Sequence, residues 1–161
     1  MTTTPPVPAL RFLPIPAEAL DAVRTGTADA SGAPVEHAAA GGGEPLRCCL
    51  RDAAPGEELI LFGYALPLPA GPYREAGPVF AHARPCAGPV DTAVHPPDWR
   101  GRPQVLRAYD ARGRIHDASR LHDGRDPEKV LAGMFADPGV VRIHSRNIVW
   151  GCYMFTVVRA G

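Results

Sequence analysis

The run ELILFGY, Glu58 to Tyr64, is apolar on both faces. A half-buried surface strand alternates apolar and polar residues, so a run of this kind needs cover on two sides, as a central strand has. Whatever this chain folds into must build a sheet around that segment. The flanking sequence supplies further strands: PLRCCL (45–50) before it, PVFAHA (78–83) after it, then QVLRAYD (104–110) and RIHDASRL (114–121) joined by a tight Ala-Arg-Gly turn, and finally VVRIH (140–144) and CYMFTVV (152–158). RFLPIP (11–16) reads as a short edge strand, because Pro14 and Pro16 would interrupt a central ladder.

Two segments carry helical signals. Pro16 suits the first turn of a helix over AEALDAVR, with Leu20 and Val23 on one face. DPEKVLAGMFADPG is stronger. Asp126 reads as an N-cap, Pro127 fits the first helical position, and Glu128 complements the N-terminal dipole. Val130, Leu131, Met134 and Phe135 make the apolar face. Strands and helices do not alternate as βαβ units, so the expected class is α+β: a single domain with a mixed, mainly antiparallel sheet and about two packed helices. Residues 1–10 read as a flexible tail and 11–161 as the domain, within which 25–44 is a long Ala/Gly-rich flexible loop. LPLPAGPYREAGP (66–78) and the 83–103 stretch are irregular crossings, the latter anchored by Trp99. No internal repeat and no second domain is evident.

The 161 residues suffice for one core. A formal net charge of zero argues against nucleic acid or an anionic membrane as partner, since both want a basic excess. No run approaches the ~20 apolar residues of a membrane helix. The N-terminus lacks the basic and long apolar regions of a signal peptide, so a cytoplasmic location is expected. Cys48, Cys49, Cys86 and Cys152 are then expected to be reduced thiols.

EPLRCCLRDAAPGEELILFGY, GPYREAGPVFAHARPC, QVLRAYDARGRI and HSRNIVWGCYMF, in this order, resemble the bacterial domain-of-unknown-function family 1203, over nearly the whole chain from Phe12 to Val158. The resemblance implies that these stretches belong to one bacterial domain, and it brings no catalytic residues with it.

Chemistry must therefore be read from the side chains. Strand alternation places Arg142 and His144 on one face of VVRIH, opposite Val141 and Ile143. It groups Val105, Arg107 and Tyr109, and pairs Phe80 with His82. If these faces converge, His82 and His144 would form an acid–base pair. Arg47, Arg107 and Arg146, with Tyr109, would hold an anion, Asn147 would orient the reacting group, and Glu75 would fix a histidine tautomer or act as base. The expected function is a small enzyme without organic cofactor, of isomerase, lyase or hydrolase type, acting on a small anionic metabolite. The alternatives are a non-catalytic module that binds an anionic ligand or a partner protein, and a metal-dependent site. Self-association into a homodimer is compatible with each.

Cys152, or Cys49, could serve as a nucleophile beside a histidine, with Gly151 admitting substrate, although a free cysteine opening an apolar strand is more often simply packed. His82-x-x-x-Cys86 has ligand spacing for zinc or iron, with Cys152 and His144 to complete a site. Against it, no Cys-x-x-Cys is present, and Cys48 and Cys49 on a strand would point to opposite faces. The expectation is therefore no metal. Phosphate-loop, dinucleotide and Gly-x-Ser-x-Gly motifs are absent from the sequence.

Overall fold

The computed structural model describes residues 6–26 and 28–161. Residues 1–5 of the expected tail lie outside the described residues. Among the described residues, ten strands form two five-stranded sheets, accompanied by two α-helices and a short 3-10 helix at Pro97–Trp99, and the α+β class holds. The expected single sheet is divided in two.

The first sheet runs β1 (Leu10–Leu13), β10 (Tyr153–Arg159), β9 (Arg142–Asn147), β7 (Gln104–Tyr109), β8 (Arg120–His122), with every neighbouring pair antiparallel. The second runs β2 (Glu36–Ala39), β5 (Glu58–Ala65), β6 (Ala76–His82), β3 (Pro45–Leu46), β4 (Arg51–Asp52), and only β3 and β6 pair in parallel. The doubly apolar run is β5, internal to its sheet as its composition demands. β1 stops at Leu13, ahead of the prolines, and is an edge strand.

Both faces of the first sheet are covered. Leu106, Ala108, Ile143, Phe155 and Val157 pack against Leu131, Met134 and Phe135 of α2 (Pro127–Phe135). Tyr109 and Tyr153, from the opposite face, join Leu46, Ile60, Phe62 and Val79 of the second sheet. The helix α1 (Ala17–Thr25) buries Leu20 in this second cluster. Trp99 is the expected anchor: fully buried, it stacks on Phe155 at 5.9 Å and donates its indole N–H to Asp52 at 2.9 Å.

Several local expectations are corrected. The segment 25–44 is not one loop, because Glu36–Ala39 pairs with β5; as an edge strand exposed at every position, it carries no apolar alternation. PLRCCL is not one strand. It leaves β3 at Leu46 and turns through Arg47–Leu50, with Leu50 in the left-handed region at φ 56°. In RIHDASRL only an isolated bridge at Ile115 and the late strand β8 pair with β7. Asp126 also sits at positive φ, 45°, and its side chain makes no cap hydrogen bond. Finally, His144 is not on a free face: it is fully buried, because the second sheet covers the side of β9 opposite Ile143.

Candidate metal centre

The turn after β3 is where sequence and structure differ most usefully. Adjacent residues on a strand diverge, but adjacent residues in a turn need not. In the turn over residues 47–50, closed by the Leu50 N–H on the Leu46 carbonyl at 2.9 Å and ending with Leu50 left-handed, Cys48 and Cys49 bring their sulfurs to 3.9 Å. A non-glycine residue in that region costs on the order of 1–3 kcal/mol and persists where the surroundings impose it. The parallel pairing of Leu46 with Phe80 sets this turn beside the end of β6, where His82 is the last strand residue. Four residues further on, Cys86 closes the group. The donor atoms of Cys48, Cys49, His82 and Cys86 all lie within 4.8 Å of one another.

The imidazole is oriented from both edges. Nδ1 stands 3.4 Å from Cys48 Sγ and 4.0 Å from Cys49 Sγ. Nε2 stands 3.0 Å from Glu57 Oε1, and Glu57, as a carboxylate, can only accept. Arg51 Nη2 also stands 3.4 Å from Nε2, but Glu57 is the nearer partner; a proton on Nε2 shared with it turns the Nδ1 lone pair to the sulfurs, the tautomer that a metal ligand needs. Arg51 grips Glu57 through two hydrogen bonds of 2.9 and 2.7 Å, and the Ala54 amide adds a third. These donors, Arg51 foremost, hold the Glu57 carboxyl well below the usual carboxylate range.

The thiols are electrostatically unequal. A hydrogen bond from Cys49 pulls the Cys48 pKa down to about 5, and the His82 backbone N–H, 3.3 Å from Cys48 Sγ, lowers it further against the opposing effect of burial. Cys49 is pushed up by that same interaction with Cys48 and by burial, and burial also raises Cys86. Cys48 is thus the thiol most readily deprotonated, and a cation bound here would displace the remaining protons.

Tetrahedral zinc has Zn–S distances of about 2.3 Å and Zn–N of about 2.0 Å, which puts neighbouring ligand atoms roughly 3.5–3.8 Å apart. The separations of 3.4, 3.9 and 4.0 Å among Cys48, Cys49 and His82 lie close to that shell, and Cys86 stands within 4.8 Å of each. Three cysteines and one histidine match a common zinc ligand set, and a carboxylate on the far nitrogen is the usual support of a metal-bound histidine. The residues present fit the ion.

The expected single His/Arg pocket is not formed. His82 lies on the second sheet among the cysteines, whereas His144 lies on the first, enclosed by the rings of Tyr109 at 4.7 Å and Tyr153 at 5.1 Å. Neither ring nitrogen of His144 has a hydrogen-bond partner among the described residues. Burial first, then the charges of Arg142, Arg146 and Arg107, depress its pKa to about 3, so it is neutral near pH 7. Arg107 and Arg146 both pair with Glu75 at the surface, so Glu75 is an ion-pair partner, and the carboxylate that sets a histidine tautomer is Glu57. Arg47, Asn147 and Cys152 do come together, lining one cavity. Cys152 and His144, expected to complete a metal site with His82 and Cys86, are replaced there by Cys48 and Cys49. The His82–Cys86 spacing was the visible signal; nothing local marked Glu57.

The two sheets form an α+β domain that carries a thiol–imidazole cluster able to hold a metal ion. The chain belongs to the family described as protein of unknown function (DUF1203), whose model matches residues 43–159. That span contains all four cluster residues and Glu57. No curated protein and no solved structure matches the chain. Among the described residues, no helix is long and apolar enough to cross a membrane.

Proposed function

We propose that the protein is a zinc-binding domain in which Cys48, Cys49, His82 and Cys86 hold one ion in a closed, structural site. The observation that carries this reading is the two-sided fixation of His82, with the sulfurs of Cys48 and Cys49 at Nδ1, Glu57 at Nε2, and Cys86 in the same cluster. Four protein donors leave no open position for substrate, which distinguishes a structural zinc site from a catalytic one. The thiolate-rich set favours zinc over magnesium or calcium. Bound there, the ion would tie the β3–β4 turn to the end of β6 and to the loop that follows it. It would also offset the strained backbone at Leu50.

Elemental analysis of protein purified without metal-affinity resin tests the proposal. One zinc per chain is expected, falling to a small fraction in Cys48→Ser and Cys86→Ser and unchanged in Cys152→Ser. A metal-free wild-type protein that also fails to take up zinc at micromolar concentration contradicts it.

The reading as an acid–base enzyme acting on a small anionic metabolite has narrower support. It required His82 and His144 in one pocket, and the two rings lie in separate surroundings on different sheets.

A further inference from the structure

Arg47 is 2% exposed, yet no carboxylate among the described residues lies within ion-pair distance of it. Its Nε donates to the Tyr153 carbonyl at 2.8 Å and its Nη1 to the Pro45 carbonyl at 2.6 Å. Nη2 has no protein partner among the described residues. A buried guanidinium held only by neutral carbonyls is an uncompensated charge, and such a charge is costly unless something pairs with it. A guanidinium keeps its charge at neutral pH, so the cavity faces a cation.

Arg47 lines a cavity of about 610 Å³, within the size range of small-molecule sites. The walls are apolar: Leu61, Pro78 and Phe80 come from β5 and β6, and Trp150 overhangs from the β9–β10 hairpin. Trp150 is 79% exposed, with Ile148 and Val149 exposed beside it, an unusual concentration of apolar surface at a hairpin tip. Asn147 is the second polar wall. Its Oδ1 accepts the Trp150 backbone N–H at 3.1 Å, and its amide NH₂ has no protein partner among the described residues. Glu44 stands at the Gly41–Gly43 side of the cavity, but its two oxygens are taken by the Gly41 and Gly42 amides at 2.8 and 2.7 Å. Its charge is directed to that loop and does not reach an ion pair with Arg47.

We infer that this cavity binds a small monocarboxylate with a flat apolar body, the carboxylate pairing with Arg47 and Asn147 and the body lying between Phe80 and Trp150. Charge complementarity selects the anion, because the cavity offers one unpaired cation and two free donor groups. Apolar walls and two aromatic rings select the body. The inference goes beyond the zinc reading and does not depend on it, although Arg47 immediately precedes Cys48, so one turn would position both the metal ligands and the anion receptor.

The test is calorimetric titration of the protein as purified with 2-naphthoate and with its neutral counterpart 2-naphthalenemethanol, alongside ¹H–¹⁵N spectra. The expected result is at least tenfold tighter binding of the carboxylate, with shifts at the Trp150 indole N–H and at Gly41–Gly43. Trp150→Ala, at an exposed position, should weaken both probes several-fold. Arg47→Met should abolish the preference for the carboxylate. Because Arg47→Met removes two buried hydrogen bonds and could fail to fold, the wild-type comparison of acid with alcohol is decisive by itself. Equal affinity for the two probes, or no perturbation of these residues at millimolar 2-naphthoate, overturns the inference. Zinc content measured on the same sample separates this outcome from failure of the metal reading.

Discussion

Glu57 and His82 are joined by a 3.0 Å contact on the imidazole edge opposite Cys48, so the carboxylate decides which nitrogen faces the sulfurs. Glu57→Gln keeps the shape but can present a donor to Nε2 and removes the charge that raises imidazole basicity. Loss of such a support costs about 10–100-fold in metal affinity. Competition against a chromophoric chelator should show that loss, with stoichiometry still one ion per chain at saturation.

Chelation of the ion should loosen the Cys48–Cys49 turn and lower Tm. A site that stabilises the folded state by a few kcal/mol corresponds to roughly 10 °C for a chain of this length. The measurement is a thermal melt before and after treatment with a strong chelator, followed by zinc add-back. Recovery of Tm on add-back is the expected outcome, and an unchanged Tm throughout is the contrary one.

His144 makes stability depend on pH. Unfolded, it takes up a proton near its ordinary 6.5; folded, it stays neutral down to about 3. Its folded pKa is depressed, so its contribution is intact above 6.5 and declines as pH falls from 6.5 toward 3. Between pH 7 and pH 5 this amounts to about 2 kcal/mol. Among the described residues neither ring nitrogen has a hydrogen-bond partner, and the charges of Arg142, Arg146 and Arg107 oppose a positive ring. Urea unfolding of His144→Phe should show a pH 7 to 5 loss smaller than wild type by that amount. Some slope should remain, because His95 is likewise depressed by burial, to about 4.

Two further substitutions separate structural from surface roles. Trp99→Ala removes a fully buried ring stacked on Phe155 and should cost about 3–5 kcal/mol in denaturant unfolding. Glu75→Gln breaks two ion pairs, but its side chain is half exposed, so water and salt already screen them. The cost should stay within about 1 kcal/mol.

The sheets were legible where periodicity is a physical necessity. ELILFGY had to be internal, PVFAHA and QVLRAYD had to be strands, and the 126–139 pattern had to be a helix. β2 was not legible, because an edge strand with all four residues exposed has no apolar face to announce it. The metal cluster failed for a sharper reason. Its geometry depends on the turn at 47–50, and Arg-Cys-Cys-Leu carries no turn signal, so Cys48 and Cys49 read as strand residues pointing apart. Glu57 reaches His82 through the pairing of β5 with β6, in which Leu59 faces His82, and that register is not written in either segment alone. Arg47, Asn147 and Cys152 were singled out for their chemistry, but the cavity they share is made by contacts across about a hundred residues, as between Arg47 and Tyr153.

X-ray absorption at the zinc edge of the purified protein tests the central claim most directly. Three sulfur neighbours at about 2.3 Å and one nitrogen at about 2.0 Å are the predicted environment. A shell of nitrogen and oxygen alone, or a protein without zinc, would contradict the account.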